Sequence, residues 1–428
     1  MSKYKVVVIG GGWSGCAAAL TAQKAGAEVT LVEKTDMLLG LGNVGGIMRN
    51  NGRYTAAEES IALGADELFN ITDRCSRHIN VDFPGHSHAS LYDVMRVEPL
   101  VKRLLLEEGI KVMMTVRGMD VEMDKTAIKT ITLSDGRVIE GDVFIETTGS
   151  TGPMGNCLTY GNGCCMCILR CPSFGPRVSI TQKAGKTDIM GRRKDGAFGA
   201  FSGSGKLEKG SLSQEIQDEL NEKGVVVIGL PPEDIKEDKL DLKVCQQYAL
   251  SEYAKNIILL DTGYAKIMTP FMPLEKLRRI PGFEYARYAD PYAGGKGNSI
   301  RYLSVAERDD NMKVEGIENL FCGGEKSGLF VGHTEAICTG TLAGYNSARY
   351  LKGLRFLELP PQIAIGDLIS YSNRQIKKSD GLMTRYTFAG AEYFDRMKEK
   401  DLYTTDREKV RRRIKKYDME NIYKERIL

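Results

Sequence analysis

Short apolar runs alternate with small-residue segments at the start of this chain, and their spacing predicts a parallel sheet. The β-branched run Lys5–Ile9 predicts a strand, the alanine-rich residues 16–25 predict a helix, and Glu28–Val32 predicts a second strand. A glycine-rich turn at residues 10–15 connects the first strand to the helix. The order strand, helix, strand is that of a βαβ unit, in which the two strands pair in parallel.

The glycines of this turn and the acid after the second strand suit a dinucleotide. In the pattern Gly-x-Gly-x-x-Gly, Gly10 permits the tight turn, Gly12 lets the backbone approach a pyrophosphate, and Gly15 lets helix and strand pack closely. The N–H groups at the helix N-terminus favour the phosphates. Glu33 stands where a carboxylate accepts ribose hydroxyls. We therefore predict a dinucleotide site here rather than a turn that binds nothing.

A second glycine-rich turn and a long helical pattern follow. Residues 40–46 would place backbone N–H groups beside a ligand. Residues 48–69 then predict one helix, with Glu58, Glu59 and Asp66 on its exposed face.

The polar residues 74–88 predict an irregular loop that holds three of the four histidines. A His-x-His pair, His86 and His88, can ligate a metal ion, but no third ligand stands at a convincing spacing. The alternative is that these two residues and His78 are solvated or substrate-facing.

The pattern then returns to the sheet. Residues 97–108 predict a helix, and residues 142–146 predict a strand that delivers Thr147, Thr148 and Gly149 to the same edge. Between them the chain predicts further strands, the last two joined by an Asp-Gly hairpin, at residues 111–114, 118–123, 127–133 and 136–138.

The periodicity breaks up between residues 154 and 312, which predicts an inserted substrate domain. Within it, residues 212–223 and 242–254 predict helices and residues 225–228 predict a strand. A strand at residues 319–322 then leads into Gly323, Gly324 and Glu325, followed by a small-residue helix at 335–351 and a mostly helical tail. The fold class is therefore α/β: a Rossmann-type domain with a parallel sheet and a β-meander, an inserted α+β domain and a helical C-terminal tail.

Composition bounds the class of protein. A chain of 428 residues with 42% hydrophobic residues can bury a large core. No apolar run reaches membrane-spanning length, and the chain opens on a strand without a leader pattern, so we predict a cytoplasmic protein that does not enter a membrane. The net charge of +3 is close to balance and says nothing about nucleic acid.

Basic residues are nevertheless uneven. The run near the C-terminus predicts a solvated helix face or an RNA contact. A second basic group would draw an anionic substrate such as folate or RNA, or would be a solvated surface loop. The first group is Arg411, Arg412, Arg413, Lys415 and Lys416, and the second is Lys183, Lys186, Arg192, Arg193 and Lys194.

Five of the ten cysteines fall within fifteen residues: Cys157, Cys164, Cys165, Cys167 and Cys171. The step from Cys167 to Cys171-Pro172 repeats the end of a ferredoxin-like ligand run, so these five are candidate ligands of a [4Fe–4S] cluster. A second interpretation is a redox-active or nucleophilic thiol, with Cys165 and Cys167 as candidate catalytic residues beside Arg170. A third is that they are small buried hydrophobes.

Residues 10–33, 146–149 and 323–325 together resemble the two-dinucleotide-binding-domain flavoproteins. The resemblance implies FAD, with its pyrophosphate on the first glycines, its ribose on Glu33, and its ribitol or flavin on Gly324 and Glu325. The implied domains are 1–153 and 313–358 for FAD, 154–312 for the cysteine-rich substrate domain, and 359–428 for the helical tail. The implied cofactor-binding residues are Gly10, Gly12, Trp13, Ser14, Gly15, Glu33, Lys34, Asn43, Gly45, Gly46, Thr148, Gly149, Gly324 and Glu325.

The later half is most similar to the GidA/TrmFO family of flavoproteins that modify tRNA uridines. The similar segments are residues 263–266, 277–286, 318–324, 341–348, 364–371 and 386–390. The folate-dependent branch moves a one-carbon unit from methylenetetrahydrofolate to uridine through reduced flavin. Its members carry a nucleophilic cysteine just after the second glycine-rich turn, and the matching residues 44–51 here contain none. No match for the branch's second cysteine stands out before Gly263.

Three functions follow from these patterns. The first is an FAD-dependent oxidoreductase acting on a small molecule, with its flavin coupled to the cysteines. The second is a methylenetetrahydrofolate- and FAD-dependent RNA uridine methyltransferase, and the third is a non-catalytic flavin subunit of an electron-transfer complex. The expected partners are a small-molecule substrate or electron donor, RNA or folate, and a second copy of the chain. No second Gly-x-Gly-x-x-Gly indicates a nicotinamide site.

Overall fold

The protein is described here from a computed structural model that covers residues 4–150, 171–201, 205–269, 272–289 and 300–428. The strands are β1 Lys5–Ile9, β2 Glu28–Val32, β3 Ile47–Met48, β4 Ser76–Phe83, β5 His86–Tyr92, β6 Lys111–Met113, β7 Gly118–Asp124, β8 Ala127–Leu133, β9 Val138–Glu140, β10 Val143–Glu146, β11 Ile189–Met190, β12 Ala200–Phe201, β13 Gly205–Leu207, β14 Val225–Gly229, β15 Asn256–Asp261, β16 Ala265–Ile267, β17 Ile300–Arg301, β18 Ser304–Val305 and β19 Leu320–Cys322.

The α-helices are α1 Trp13–Lys24, α2 Gly42–Gly45, α3 Gly52–Ala62, α4 Glu67–Arg74, α5 Val97–Glu107, α6 Cys171–Phe174, α7 Ile180–Lys183, α8 Gln214–Lys223, α9 Ser251–Lys255, α10 Leu274–Leu277, α11 His333–Leu351, α12 Ala364–Gln375, α13 Ala391–Glu399 and α14 Arg407–Lys416. Short 3₁₀ segments lie at Lys209–Ser211, Pro232–Asp234, Glu237–Leu242, Gln246–Tyr248, Gly324–Ser327 and Ile422–Lys424. None of the described helices is both long enough and apolar enough to cross a bilayer.

A parallel five-stranded sheet, in the order β19-β10-β1-β2-β6, forms the centre of the fold. Its central strand β1 pairs Val7 with Phe144 on one side and with Thr30 on the other. Val6, Val7 and Val8 are at most 2% exposed, as expected for a parallel strand that is covered on both faces. The predicted βαβ unit and Rossmann-type sheet are therefore confirmed.

Helices α1 and α11 cover one face of this sheet and touch each other along their length. A Cβ on Gly340 would collide with the backbone oxygen of Ser14, and a Cβ on Gly344 would collide with that of Ala18. Small residues four positions apart on both helices therefore allow this close approach. The predicted meander, β7-β8-β9, is antiparallel and shares an apolar core with the opposite face of the sheet.

A second, antiparallel sheet has the order β13-β16-β15-β14. One of its faces packs against α8 around Leu220, Leu259 and Ile267. Its other face, around Ile258 and Leu260, packs against the small sheet β3-β5-β4. The boundaries placed at residues 153, 312 and 358 stay a prediction.

The C-terminal region is helical, as predicted, and lies on α3. The Glu59 carboxylate accepts hydrogen bonds from the backbone N–H groups of Ala364 (2.9 Å) and Ile365 (3.0 Å) at the start of α12. The hydroxyl of Thr55 donates to the backbone oxygen of Thr404 at 2.6 Å. Helix α14 then packs against α3.

The predicted single helix over residues 48–69 is wrong. That stretch forms β3, α3 and the start of α4, with Asn51 (φ +53°) and Gly64 (φ +100°) in conformations that a helix cannot contain. The predicted outward direction of Glu58 and Glu59 is also wrong, because both are buried under the C-terminal helices.

Two other local predictions are wrong. Residues 74–88, predicted as a loop, form most of the antiparallel pair β4 and β5, whose register shifts hide the alternation of polar and apolar residues. Residues 242–254, predicted as one helix, contain the end of the 3₁₀ segment Glu237–Leu242, the 3₁₀ turn Gln246–Tyr248 and most of the short helix α9.

Candidate functional site

The carboxyl ends of four neighbouring parallel strands open on one cavity of about 600 Å³. Strand β1 leads into the turn at residues 10–15, β2 into Glu33, β10 into Thr148 and β19 into Gly324. Residues from all four segments line the cavity. Ligands of open α/β sheets bind at this edge, so the topology places a binding site here.

The turn at residues 10–15 is closed on the protein side and open on the cavity side. A Cβ on Gly15 would collide with the carbonyl oxygen of Gly10, and a Cβ on Gly10 (φ +105°) would meet the backbone of Thr147. A Cβ on Gly12 would meet no atom within 4 Å, and Gly12 lines the cavity. The backbone at Gly12 is thus accessible to a ligand, as a pyrophosphate requires.

Glu33 lies at the cavity wall with its carboxylate oriented by backbone groups. Its Oε2 accepts a hydrogen bond from Gly11 N–H at 2.7 Å, and its Oε1 accepts from the N–H (2.8 Å) and the hydroxyl (2.9 Å) of Thr35. Burial raises the pKa of Glu33, although these hydrogen bonds oppose the shift. A carboxylate has about four acceptor positions, so one remains for a ribose hydroxyl.

Trp13 and Ser14 form the first turn of α1 and line the cavity. Ser14 is 5% exposed, and its hydroxyl has no hydrogen-bond partner among the described residues. A buried hydroxyl without a partner indicates that a ligand atom completes the site. The Ser14 side chain also lies against Gly323 and Gly340, so α1 contacts the last of the four segments.

The second glycine-rich turn is the short helix α2, and its glycines allow close packing. A Cβ on Gly45 would overlap the His333 ring, and a Cβ on Gly46 (φ +72°) would overlap Thr262. The side-chain amide of Asn43 donates back to the Leu38 oxygen at 2.7 Å, which stabilises the turn.

Tyr92 and His333 lie beside this turn. The Tyr92 hydroxyl donates to the Gly42 oxygen at 2.7 Å, and the same hydroxyl oxygen lies 3.1 Å from His333 Nδ1. Because the hydroxyl has one proton and it is directed at Gly42, His333 Nδ1 is the donor of the second bond. His333 begins α11 and lines the cavity.

Thr148, Gly149 and Glu325 line the remaining part of this wall. The Thr148 hydroxyl donates to Glu146 at 2.8 Å, and Glu325 accepts from the Ser150 hydroxyl at 2.9 Å. Lys34, also in the lining, donates to the Gly175 oxygen at 3.3 Å. The structure thus brings together Gly10, Gly12, Trp13, Ser14, Glu33, Lys34, Asn43, Gly45, Thr148, Gly149, Gly324 and Glu325, while Gly15 and Gly46 lie behind the lining and support it.

A buried ion network supports the strand ends from below. Lys326 lies 2.6 Å from Asp188 and 3.6 Å from Glu146, with all three side chains fully buried. Glu146 also accepts from the backbone N–H groups of Ile180 (2.9 Å) and Thr181 (2.8 Å). The network connects β10 to α7 and to the segment after β19.

The sequence patterns do not predict several residues that line the same cavity from elements other than the ends of the parallel strands, and these residues form the opposite wall of the cavity. They are Arg53, Lys206, Lys243, Cys245, Gln247 and Lys266. Lys266 stands in a strand of otherwise apolar residues, a signal that could have singled it out, whereas no local pattern distinguishes Lys243 or Cys245. Cys245 lies in the region before Gly263 where no family cysteine stood out from the sequence.

The three clustered histidines have structural partners. His78 Nε2 lies 2.9 Å from the Asp261 carboxylate, whereas His88 contacts Asn80. His86 is buried, accepts from the Asn50 side-chain amide at Nδ1 (3.0 Å) and donates from Nε2 to the backbone oxygen of Gln247 (3.1 Å). Their predicted loop setting is wrong, since all three lie on strands.

Four of the five clustered cysteines, Cys157, Cys164, Cys165 and Cys167, lie outside the described residues. Cys171 is half-buried and begins α6. Within the described ranges, no group of three His, Cys, Asp or Glu side chains could hold a metal ion. The iron–sulfur and thiol interpretations therefore stay predictions.

Comparison with known proteins adds relatives in tRNA modification. The methylenetetrahydrofolate--tRNA-(uracil-5-)-methyltransferase TrmFO of Bacillus pumilus is 34% identical over 108 residues, which is 24% of this chain and 24% of that protein. The tRNA uridine 5-carboxymethylaminomethyl modification enzyme MnmG of Thermus thermophilus is 32% identical over 117 residues, 25% of this chain and 18% of that protein. These matches span about a quarter or less of the relatives' length.

Solved structures extend the likeness to nearly the whole chain. The form II crystal structure of Aquifex aeolicus GidA superposes with a TM-score of 0.63 at 16% identity, covering 97% of this chain and 76% of that one. Its form I crystal gives a TM-score of 0.61 over the same share of this chain. At this identity the likeness shows a shared fold.

The family model described as glucose inhibited division protein A matches residues 5–225 and 255–355, about three quarters of the chain. These ranges include the turn at residues 10–15, Glu33, Thr148 and Glu325, all of which meet at the cavity. The chain therefore belongs to the glucose inhibited division protein A (GidA) family.

Proposed function

We propose that this protein is an FAD-dependent oxidoreductase whose FAD lies along the cavity described above. One observation carries the proposal: segments from the ends of four adjacent parallel strands, with the first residues of α1 and α11, line a single cavity of about 600 Å³. Pockets of this size accommodate extended organic cofactors. FAD would supply two-electron redox chemistry there, taking electrons from a donor and passing them to a substrate.

The proposal assigns each segment a part of the cofactor. The backbone at Gly12 and the start of α1 would hold the pyrophosphate, the free acceptor position of Glu33 would bind a ribose hydroxyl, and Thr148 to Gly149 and Gly324 to Glu325 would hold the remainder. The unpartnered hydroxyl of Ser14 fits a polar cofactor atom. The proposed cofactor residues remain the fourteen named from the sequence, with Gly15 and Gly46 acting through the packing they permit.

RNA uridine modification that uses methylenetetrahydrofolate is the second candidate. It is favoured by the relatives, whose names state tRNA uridine chemistry, and by the thiol of Cys245 in the cavity lining. On the described surface, Arg411 and Arg412 of α14 have side chains 60% and 70% exposed, which suits an RNA contact. Arg413 instead donates to the Leu402 oxygen at 2.8 Å and supports the helix packing.

The clustered cysteines belong to the same proposal as an electron relay, either as ligands of a [4Fe–4S] cluster or as a dithiol. Iron and acid-labile sulfide in anaerobically purified protein would identify the cluster. Their absence, with flavin present, would leave the dithiol. A cytoplasmic location is part of the proposal.

The test begins with the visible spectrum and the mass of the cofactor released from purified protein. FAD at close to one per chain, reduced by NADH, NADPH or ferredoxin, supports an oxidoreductase. Protein that never binds FAD would overturn the proposal, and bound FAD that no donor reduces would point to a non-catalytic subunit. Transfer of a labelled one-carbon unit to unmodified tRNA would favour the second candidate, as would tRNA binding that weakens steeply with salt.

A further inference from the structure

Three lysines line the part of the cavity formed by the second, antiparallel sheet and the segment before β15. Lys206 and Lys266 stand directly opposite each other on the antiparallel strands β13 and β16, and Lys243 lies on the segment before β15. All three side chains contribute to the cavity lining. Lys243 and Lys266 are each only 3% exposed.

The positions of the ammonium groups are well defined. Lys266 Nζ donates to the backbone oxygen of Val44 at 2.7 Å, and Lys206 Nζ donates to the backbone oxygen of Asn43 at 3.3 Å. Both ammonium groups therefore contact the same short helix, α2. Lys243 Nζ donates to the backbone oxygens of Tyr248 and Met268, both at 3.2 Å. The three charges are therefore gathered around one part of the cavity.

This arrangement brings like charges close together. Like charges directly opposite each other on paired strands repel, and a buried ammonium group loses its hydration. Burial, together with the charges of Lys206 and Lys243, lowers the pKa of Lys266 to about 7, although Cys245 opposes the shift. Burial also lowers the pKa of Lys243 to about 8. Within the described part of the chain, Lys243 forms no ion pair with a carboxylate.

A second observation at the same place points to a ligand. The side chain of Gln247 is 3% exposed and lines the cavity, and its amide oxygen has no hydrogen-bond partner among the described residues. An unpartnered buried acceptor needs an N–H or O–H donor. Lys243 has three N–H bonds and directs two of them at backbone oxygens, and its Nζ lies 5.0 Å from the centre of the Tyr253 ring. An anionic ligand in the cavity would compete with that ring for the third N–H.

The short helix α2 separates this group of lysines from the proposed cofactor site. On one side it contacts Trp13 and His333, through Gly42 and Gly45. On the other side its carbonyl oxygens accept from Lys206 and Lys266. A pyrophosphate at Gly12 would lie on the first side, so the lysines are not placed to hold the pyrophosphate.

We infer that Lys206, Lys243, Lys266 and Gln247 form an anion subsite for the substrate, a small molecule that carries a carboxylate or phosphate group together with an N–H or O–H donor. This inference rests on the proposed function, since it names the substrate class of the same cavity. Because Lys243 and Lys266 are buried, the ligand must enter the cavity, which excludes the backbone of an RNA helix.

The test uses the full-length, FAD-loaded protein and three probes: succinate, inorganic phosphate and polyuridylate. Binding is followed by the change in the flavin absorbance spectrum and by the thermal unfolding midpoint. We expect saturable binding of succinate or phosphate, and the better probe identifies the anionic group. Lys266→Met and Lys243→Met should each weaken that binding by at least about tenfold, because a charge-assisted hydrogen bond is lost.

Controls separate this role from a structural one. Lys223→Met removes a lysine that is 61% exposed and outside the cavity, and should leave probe binding unchanged. Lys266→Arg keeps the charge and should retain binding. Without a probe, the unfolding midpoint of Lys266→Met should stay close to that of the wild type, because the repulsion that is relieved offsets the lost hydrogen bond to Val44. A purely structural role would lower the midpoint and leave probe binding unchanged.

Three results would overturn the inference: no small anion binds while FAD is bound, only polyuridylate binds, or Lys266→Met loses FAD itself. The last would assign the lysines to the cofactor. A wild-type protein that lacks FAD altogether would refute the proposed function instead, and its spectrum reveals this before any probe is added.

Discussion

The two walls of the cavity are built from different chemical groups. The wall at the edge of the parallel sheet presents mainly backbone, with glycines, the first turn of α1 and one oriented carboxylate, Glu33. The opposite wall presents side chains, chiefly Lys206, Lys243 and Lys266. Backbone groups recognise a ligand mainly by shape, and they cannot be altered without altering the fold. Side chains can be exchanged by single substitutions, which changes the ligand that the wall binds. Cofactor binding and substrate choice are therefore separate properties of this molecule.

The largest expected effect comes from closing the backbone wall. Gly15→Ala places a Cβ against the carbonyl oxygen of Gly10, which must push α1 off the strand and displace its N–H groups. FAD affinity should fall by a factor on the order of 10⁴, about 5.5 kcal/mol, as measured by flavin titration of the apoprotein.

Gly229→Ala is the matched control, because a Cβ there meets no atom within 4 Å and Gly229 lies on β14 away from the cavity. Equal FAD affinity in the two variants would contradict the assignment of the backbone wall to the cofactor.

The next effect concerns the junction between the two walls. Arg53 and Glu335 form a buried ion pair at 3.0 Å that connects α3 to the start of α11. Arg53→Met leaves a carboxylate buried without its partner and should lower the free energy of unfolding in urea by about 3–5 kcal/mol.

The exposed pair Arg279 and Glu275 supplies the comparison, since its side chains are 71% and 81% exposed. Arg279→Met should cost at most about 1 kcal/mol. Similar losses in the two variants would show that the Arg53 pair is not a structural junction.

The third prediction concerns the pH dependence of stability through His86, which is buried next to the wall that carries the lysines. Burial lowers the pKa of His86 to about 3, and the charges of Arg53 and Lys243 contribute to the shift. The unfolded chain takes up a proton near pH 6.5 while the folded chain does not, so the folded state loses stability as the pH falls from about 6.5 towards 3. The loss reaches roughly 5 kcal/mol at most.

His86→Gln keeps a polar side chain that cannot be protonated. Between pH 6.5 and 4, its free energy of unfolding should fall less steeply than that of the wild type. Parallel pH profiles would show that His86 is not the group responsible.

The smallest expected effect comes from a substitution beside α2, the short helix between the two walls. Tyr92→Phe removes the hydroxyl that donates to Gly42 and accepts from His333. We expect a loss of about 1–2 kcal/mol in unfolding free energy, together with a small change in the flavin spectrum. Tyr285→Phe, on a residue 85% exposed, should change neither.

The two walls also differ in how far the sequence predicts them. Gly10, Gly12, Gly15 and Glu33 belong to one continuous βαβ pattern, so local spacing was enough to place them. Lys206, Lys243 and Lys266 come together only because β13 pairs with β16 and α2 folds over them. No period in the sequence carries that information, because the contacts are long-range.

Local errors have similar causes. Register shifts between β4 and β5 hide the alternation of polar and apolar residues in both strands, so the sequence predicts a loop for His78, His86 and His88. Glu58 and Glu59 looked like the exposed face of a helix, because the C-terminal helices that cover them lie hundreds of positions later. Glu59 finds its partners at the start of α12.

The close contact of α1 with α11, through Gly340 and Gly344, has an evolutionary consequence. Most of the chain lies between these two helices, yet their separation is set by their mutual contact and not by the length of what connects them. Lineages can therefore insert, delete or replace the intervening substrate-binding segments while the flavin cradle keeps its dimensions. We expect relatives of this protein to differ most in the intervening segments that lie outside the parallel sheet, and to acquire new substrates there.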